Sequence, residues 1–479
     1  MSASTPVGYA AREAALERIL AQAMRFPDLD IAPFDARSMP GLDARDASLA
    51  RAIEHAVVRR YLTLIACIRP HLVKNWPLLE KPIQAALLAG SAQILFLDRV
   101  PAAAAVDASV EWTKRRLRPG AGGLVNAVLR KVAATIAERL PPGAETAAML
   151  ADHTRRDLVP LADGGAVRLA QDAQGREIFS EDAAASLSER TSHARDLVLH
   201  WIGAFGFKEA TRLAMHDLVE APLVVTGHLA ADGSNLATLH ADRFAPHDEP
   251  GFAVWTGSHS ELTEALAAIP SMRVQDPTAA STVGVLERLA RDASMPKSVR
   301  EPSLVVDLCA GRGTKTKQLA ALYPNATILA TDPEESRFES LAKLRERHPN
   351  IKPLSPQSVF REAAGRADIL LLDVPCSNSG VLARRPEARY RFSKARTQSV
   401  LELQQRIADP AIGLVAPGGV TLYATCSIER AENEAQAKRL AQRFGLATIL
   451  ERTILPECQP GDAPARYRDG GYHALLAKA

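Results

Sequence analysis

Residues 303–332 read SLVVDLCAGRGTKTKQLAALYPNATILATD, and this stretch sets the fold class of the C-terminal part of the chain. SLVVDL (303–308) is a short strand-like run that ends in the loop Cys309-Ala310-Gly311-Arg312-Gly313-Thr314-Lys315-Thr316. KQLAALY (317–323) then reads as a helix, and ATILAT (326–331) is a second strand closing on Asp332. The register continues in DILLLD (368–373), GGVTLYAT (418–425) and the late pair LATILER (446–452) and YHALLAK (472–478). From about residue 274 these runs are separated by helix-length intervals, which predicts an α/β domain with a mostly parallel sheet and helices on both faces. Ligands of such sheets collect at the carboxyl ends of the strands.

Upstream of this domain the pattern changes. Residues 186–273 join a helical stretch, RDLVLHWIGAFGFKEATRLAMHDLV (195–219), to short apolar alternations, APLVVTGHLA (221–230) and GFAVWTG (251–257), as expected of a small α+β segment. Residues 141–185 mix Pro, Gly, Asp and Ala with no sustained period and read as a linker or insertion. Residues 1–140 read as an all-α domain, with helical spacing in AREAALERILAQAM (11–24) and ARAIEHAVVRRYLTLIA (50–66). Asp43 and Asp46 precede the second of these as cap candidates. Further helices are expected in KPIQAALLAGSAQILFLDRV (81–100), closed by Pro101, and in AAAAVDASVEWTKRRL (102–117), closed by Pro119 and Gly120, Gly122 and Gly123.

The length of 479 residues exceeds what one core supports and predicts several domains. A composition of 47% hydrophobic and 24% charged residues excludes global disorder. No apolar run approaches the roughly 18 residues of a membrane span, and MSASTPVGYAAREAAL lacks a basic segment followed by an apolar one, so a cytoplasmic location is expected. The five cysteines (67, 309, 376, 426 and 458) are odd in number and form no Cys-x-x-Cys pair, which predicts free thiols and no zinc or other metal site. A net charge of +3 requires any basic surface to be local.

The chemistry-bearing residues fall at strand ends. The loop after SLVVDL is neither a Walker loop nor Gly-x-Gly-x-x-Gly, so it reads as a tight βα turn or as a backbone cradle for a ligand. Asp332, about 20 residues further on, reads as a ribose ligand or as a cap for the helix EESRFESLAKLRER (334–347). DILLLD leads into Asp373-Val374-Pro375-Cys376-Ser377, and GGVTLYAT into Cys426-Ser427-Ile428. A single cysteine after a strand is most often a small buried hydrophobe, but two on neighbouring strands of one sheet face a common crevice. Two thiols and an acid beside an adenosine pocket suit methylation of a pyrimidine carbon. A thiolate adding to carbon 6 makes carbon 5 nucleophilic toward a sulfonium methyl, and a second group then assists loss of the carbon 5 proton. Lys315, Arg384 and Arg385 are the candidates to favour the thiolate, and Asp373 to contact the base near ring nitrogen 3.

The strings DVPCSNSGVLARRPEARYR (373–391) and PGGVTLYATCSIERAENE (417–434) resemble the motifs of the Nol/Nop/Sun family of RNA 5-methylcytosine methyltransferases. FLDRVPAAAAVDASVEWTKRR (96–116) and GGLVNAVLRKVA (122–133) are similar to the NusB-like domain of its bacterial RsmB-like branch, which acts on 16S ribosomal RNA. The resemblance implies a Rossmann-like S-adenosyl-L-methionine-dependent methyltransferase domain over 274–479. It implies Cys426 as nucleophile, Cys376 as the thiol assisting product release, and Asp373, with Lys315 near it, on the cytosine. It further implies cofactor contacts from Cys309, Ala310, Gly311, Arg312, Gly313, Thr314, Lys315, Asp332, Gln357 and Asp373. Departures from the family pattern are Gly311, Arg312 and Thr314 for an Ala, a Pro and a Gly, Gln357 for an acid, and Gly471 for an aromatic.

RNA, ribosomal above all, is the expected partner, with a monomer as the expected assembly. Lys114, Arg115, Arg116 and Arg118 in the helical domain, and Arg384, Arg385, Arg389 and Arg391 beside Cys376, are the candidate phosphate contacts. The alternatives are a transfer RNA substrate, or a NusB-like RNA-binding protein with weak or lost turnover.

Overall fold

The computed structural model describes residues 8–31, 41–171, 175–229, 240–293 and 295–478. The chain forms two compact units. The first comprises residues 1–220 together with Leu382–Ser393 and Gln459–Asp462, and the second the remainder. The units divide at Glu220, and two excursions from the α/β part belong to the helical unit.

In the first unit, helices α1 (Tyr9–Arg25), α2 (Ala44–Ile68), α3 (Lys81–Phe96), α4 (Ala102–Arg116) and α5 (Pro119–Ala134) pack around Leu16, Ile19, Ile53, Val57, Leu64, Leu87, Leu88 and Leu129. Asp43 caps α2, its carboxylate accepting from Asp46 N–H at 2.7 Å. Gly90 lets α3 and α5 approach, because a Cβ there would lie 2.4 Å from Leu129 Cδ1. Residues 141–185 are more than a linker. They hold a helix, Ala144–Ala151, and the strands Leu158–Pro160 and Ala166–Leu169, which with Ile136–Leu140 form a three-stranded antiparallel sheet. These strands have three to five residues each, too short to give a visible alternation in sequence.

The excursion Leu382–Ser393 explains its own place in this unit. Tyr390 packs on the stacked Phe26–Tyr61 pair, with ring centroids 5.7 and 6.1 Å away, and donates its hydroxyl to Val58 O at 2.5 Å. Arg389 is fully buried and donates to the carbonyls of Arg59 (3.1 Å), Leu382 (3.4 Å) and Asp217.

The second unit begins with a small antiparallel sheet, Phe244–Pro246, Phe252–Trp255, Val224–Thr226 and Arg273–Val274 in spatial order. The helix His259–Ala268, opened by a Ser258–Glu261 capping box, covers it through Leu262 and Ala265. The main sheet has seven strands: β1 (Leu304–Asp307), β2 (Thr327–Ala330), β3 (Ile351–Pro353), β4 (Ala367–Asp373), β5 (Val415–Thr425), β6 (Leu446–Ile454) and β7 (Gly471–Lys478). Their spatial order is β3-β2-β1-β4-β5-β7-β6, with β1 to β5 parallel and β7 antiparallel to both of its neighbours.

Alternate residues of these strands feed two cores, which is why the runs are apolar throughout. Val305, Ile369, Leu371 and Leu422 pack with Val283 and Leu286 of α6 (Pro277–Ala290), Leu319 of α7 (Thr314–Leu322) and Leu341 of α8 (Glu335–Leu344). Val306, Leu370, Leu372 and Tyr423 pack with Val359 of α9 (Pro356–Ala363), Ala408 of α10 (Lys394–Ala411) and Leu440 of α11 (Glu434–Phe444). The strand order reverses between β1 and β4, and the crevice of such a sheet opens at that point.

Candidate active site

The carboxyl ends of β1, β4 and β5 deliver the candidate residues to one edge of the sheet. Asp373 ends β4 in register with Ala424, so the segments after both strands emerge side by side. Cys376 and Cys426 are brought together with their sulfurs 2.9 Å apart. The Cys426 thiol also donates to Asn378 Oδ1 at 3.3 Å. The hydrogen bond to Cys426 and burial both raise the Cys376 thiol well above its ordinary pKa, so Cys376 holds its proton.

Lys315 Nζ donates to Asp373 Oδ2 at 2.7 Å. Burial pulls the Lys315 ammonium down, but the charge and hydrogen bond of Asp373 outweigh it, so the pKa is raised and Lys315 stays cationic. Cys309 is a different kind of thiol: burial, reinforced by Asp307, Asp373 and Asp332, pushes its pKa up and leaves it inert.

The loop after β1 turns at Gly311 (φ 57°) and Gly313 (φ 85°), conformations that favour glycine. At Gly313 a Cβ would also lie 2.3 Å from Leu344 Cδ1. Asp332 is not the cap of α8, a part taken by Glu334, whose side chain accepts from Ser336 N–H. The Asp332 carboxylate instead accepts from Gly311 N–H at 3.0 Å and so ties the β2 end to the loop. Arg312 and Thr314, two of the departures from the family pattern, are exposed. Gln357 lies in the first turn of α9, beyond β3, and is exposed. Gly471 is buried where a Cβ would be 3.1 Å from Thr425 O and 3.2 Å from Thr278 Cγ2.

Two buried polar atoms at this edge, Asp307 Oδ1 and Thr331 Oγ1, make no hydrogen bond. The other Asp307 oxygen accepts from Thr316 Oγ1 at 2.7 Å, and burial raises the Asp307 carboxyl to about 7. Unsatisfied donors and acceptors, a glycine-turned loop and a helix N-terminus together suit a cofactor that carries an amino-acid group and a nucleoside.

Several supporting residues were not singled out from the sequence. Gly380 N–H donates to Cys426 O at 3.0 Å, and Gly470 N–H to Gly380 O at 2.7 Å. Glu432, 1% exposed, accepts from Ser377 N–H and Ser427 Oγ–H. Asn433 Nδ2 donates to Ser427 O at 2.9 Å. Glu432 and Asn433 lie in the polar run ERAENE (429–434), at the end of the family-like string. Only the turn that folds it back under the two cysteines buries it.

The basic residues meet a different fate. Lys114 pairs with Glu111 (2.6 Å), Arg115 with Glu13 (2.9 Å) and Arg116 with Glu17 (4.0 Å), so this cluster is partly neutralised within its own unit. Arg385 is exposed and 3.8 Å from Glu387, and Arg384 is half-buried. The expectation for Arg389 is corrected, since its buried guanidinium is engaged by three carbonyls and is closed to phosphate. Arg391 is half-buried and donates to Leu29 O. Among the described residues no cluster of His, Cys, Asp and Glu could hold a metal ion, and no helix is long and apolar enough to cross a membrane.

Residues 297–458 match the model of the 16S rRNA methyltransferase RsmB/F family, and residues 10–134 that of the NusB family. The C-terminal part of the chain is thus similar to RsmB/F methyltransferases and its N-terminal part to NusB. The chain is 29% identical to ribosomal RNA small subunit methyltransferase B of Xanthomonas campestris pv. campestris, covering 92% of this chain and 91% of the relative. The proteins of the same name from Erwinia tasmaniensis and Escherichia coli are 27% and 26% identical, each alignment covering 91% of both chains. The crystal structure of PH0851 has the same fold, with a TM-score of 0.66 at 20% identity over 100% of both chains. The NusB match overlies α1 to α5, and the RsmB/F match runs from just before β1 to Cys458, enclosing both thiols.

Proposed function

We propose that this protein methylates carbon 5 of a cytosine in 16S ribosomal RNA, with S-adenosylmethionine as methyl donor and Cys426 as nucleophile. The observation that carries the reading is the pair of sulfurs 2.9 Å apart, with the Lys315–Asp373 pair at the end of the adjoining strand. A cytosine carbon 5 is too weakly nucleophilic to be methylated directly, and a thiolate at carbon 6 is the remedy.

In this mechanism Asp373, held in place by Lys315, hydrogen-bonds the base edge at ring nitrogen 3. Cys376 donates to Cys426 and so supports the thiolate that adds to carbon 6. Formation of the carbon–sulfur bond consumes that thiolate and with it the main influence raising Cys376. Carbon 5 takes the methyl, Cys376, having given its own proton to water, removes the carbon 5 proton as a thiolate, and Cys426 leaves carbon 6 as a thiolate with restoration of the aromatic ring. The bound cofactor supplies a sulfonium methyl as electrophile. The residues that would hold it are the loop Cys309 to Lys315, with Asp332 and Gln357. Exposed Arg385, with Lys114, Arg115 and Arg116 of the NusB-like domain, would contact RNA phosphate, and the target base must leave its stack to be reached.

Denaturing gels of protein incubated with RNA and cofactor test the assignment. Cys376→Ala is expected to accumulate a covalent RNA adduct and Cys426→Ala to form none; the opposite pattern would exchange the two roles. Bisulfite mapping of 16S ribosomal RNA against transfer RNA identifies the substrate, and methylation of transfer RNA alone would overturn that part of the proposal.

A further inference from the structure

The two thiols lie on separate segments, one after β4 and one after β5, and something must fix the distance between them. Backbone pairing of the two strands ends at Val374 N–H donating to Ala424 O, two residues before either cysteine. Beyond that point the residue following each cysteine is bound by the same carboxylate. Glu432 Oε2 accepts from the backbone N–H of Ser377 at 2.8 Å, and Oε1 accepts from the hydroxyl of Ser427 at 3.1 Å. Gln404 donates both to Glu432 Oε2 (3.4 Å) and to Pro375 O (3.0 Å), the carbonyl just ahead of Cys376. Tyr423 OH, donating to Glu432 O at 2.8 Å, fixes the backbone that carries the carboxylate. A carboxylate this buried is costly unless its oxygens are satisfied, and each donor here belongs to, or braces, a thiol-bearing segment.

We propose that Glu432 is a positioning residue that sets the separation of the Cys376 and Cys426 sulfurs by clamping the residue after each of them. The proposal rests on reading these thiols as the active pair, and its test has a readout that needs no RNA. Phenylarsine oxide bridges two thiols with loss of one water, and does so readily only where the sulfurs are adjacent. Glu432→Gln keeps an acceptor for Ser377 N–H and offers an amide donor to Ser427 Oγ, whereas Glu432→Ala removes both bonds.

Intact-mass measurement is expected to show one arsenic bridging Cys376 and Cys426 in the unmodified chain and in Glu432→Gln. Bridging should slow at least tenfold in Glu432→Ala, while each thiol still reacts singly with iodoacetamide. RNA methylation should fall at least tenfold in Glu432→Ala with cofactor affinity unchanged, and recover largely in Glu432→Gln. Should Glu432→Ala not fold, Ser427→Ala removes one arm of the clamp and is expected to slow bridging in the same direction. Bridging at the unmodified rate in a folded Glu432→Ala, or in Ser427→Ala where Glu432→Ala does not fold, overturns the clamp. Normal bridging in the unmodified chain without methylation of any RNA would overturn the proposed activity and leave the clamp standing.

Discussion

Gly380→Ala is the substitution whose consequences follow most directly from the geometry. Gly380 is stitched on both sides, donating to Cys426 O at 3.0 Å and accepting from Gly470 N–H at 2.7 Å. A Cβ added there would meet Gly470 C at 2.7 Å and the carbonyl oxygens of Cys426 and Gly470 at 2.8 Å. All three are backbone atoms, so no side chain can swing aside. Restoring ordinary contact at 3.4 Å from 2.8 Å requires a shift of 0.6 Å, shared between the segment carrying Cys426 and its neighbour. Overpacking of this kind costs about 1–3 kcal/mol. At about 2–4 °C per kcal/mol for a unit of this size, the melting temperature should fall about 2–12 °C. A misplacement near 1 Å costs roughly 100-fold in rate, so methyl transfer should drop about 10–100-fold. The assays are differential scanning fluorimetry and incorporation of labelled methyl into ribosomal RNA. Gly284→Ala is the control, because its Cβ would meet nothing within 4 Å and it lies inside α6. That change should stabilise by about 0.5–1 kcal/mol and leave activity intact. Unaltered melting and turnover in Gly380→Ala would refute the reasoning.

Three further outcomes are expected. Arg389→Ala strands the carbonyls of Arg59, Leu382 and Asp217 in the interior, so urea unfolding of the full chain should show a loss of about 3–5 kcal/mol; a change within about 0.5 kcal/mol would remove Arg389 as the anchor of the excursion. The Asp307 carboxyl, raised to about 7 by burial from an ordinary 3.8, binds more protons folded than unfolded between those values, so its contribution to stability is full below about pH 4 and is lost as pH rises through 7. The melting temperature of Asp307→Asn relative to the unmodified chain should therefore climb from pH 4 to 7 and level off above, and a pH-independent difference would contradict this. Arg385→Glu should weaken RNA binding at low salt while calorimetric titration with S-adenosylmethionine stays unchanged; equal losses in both would sink its assignment to phosphate.

How much of this was legible in advance differs from element to element. The main sheet was readable because β1, β2, β4 and β5 are buried on both faces, and continuous apolar runs between helix-length intervals have few other uses. Cys376 and Cys426 were readable as a pair because each follows such a strand, while the roles proposed for them rest on the resemblance of the surrounding strings to a known family. The sheet at 136–169 was missed because its strands are too short to show a period.

By itself the sequence determined the fold class, the placement of two thiols, an acid and a lysine at strand ends, and the family resemblance. The tertiary structure alone decided which polar residues serve them. Arg389 and Arg385 lie four residues apart in one basic string, yet one is spent inside the helical unit and the other is exposed. Asp332 reads equally as a cap or a ligand until its hydrogen bond to Gly311 N–H is seen. Glu432, in the polar run 429–434, is buried against Ser377 and Ser427. The physical reason is the same in each case. Local sequence fixes periodicity and backbone preference, but the partner of a polar side chain is set by which distant segments the sheet order brings beside it.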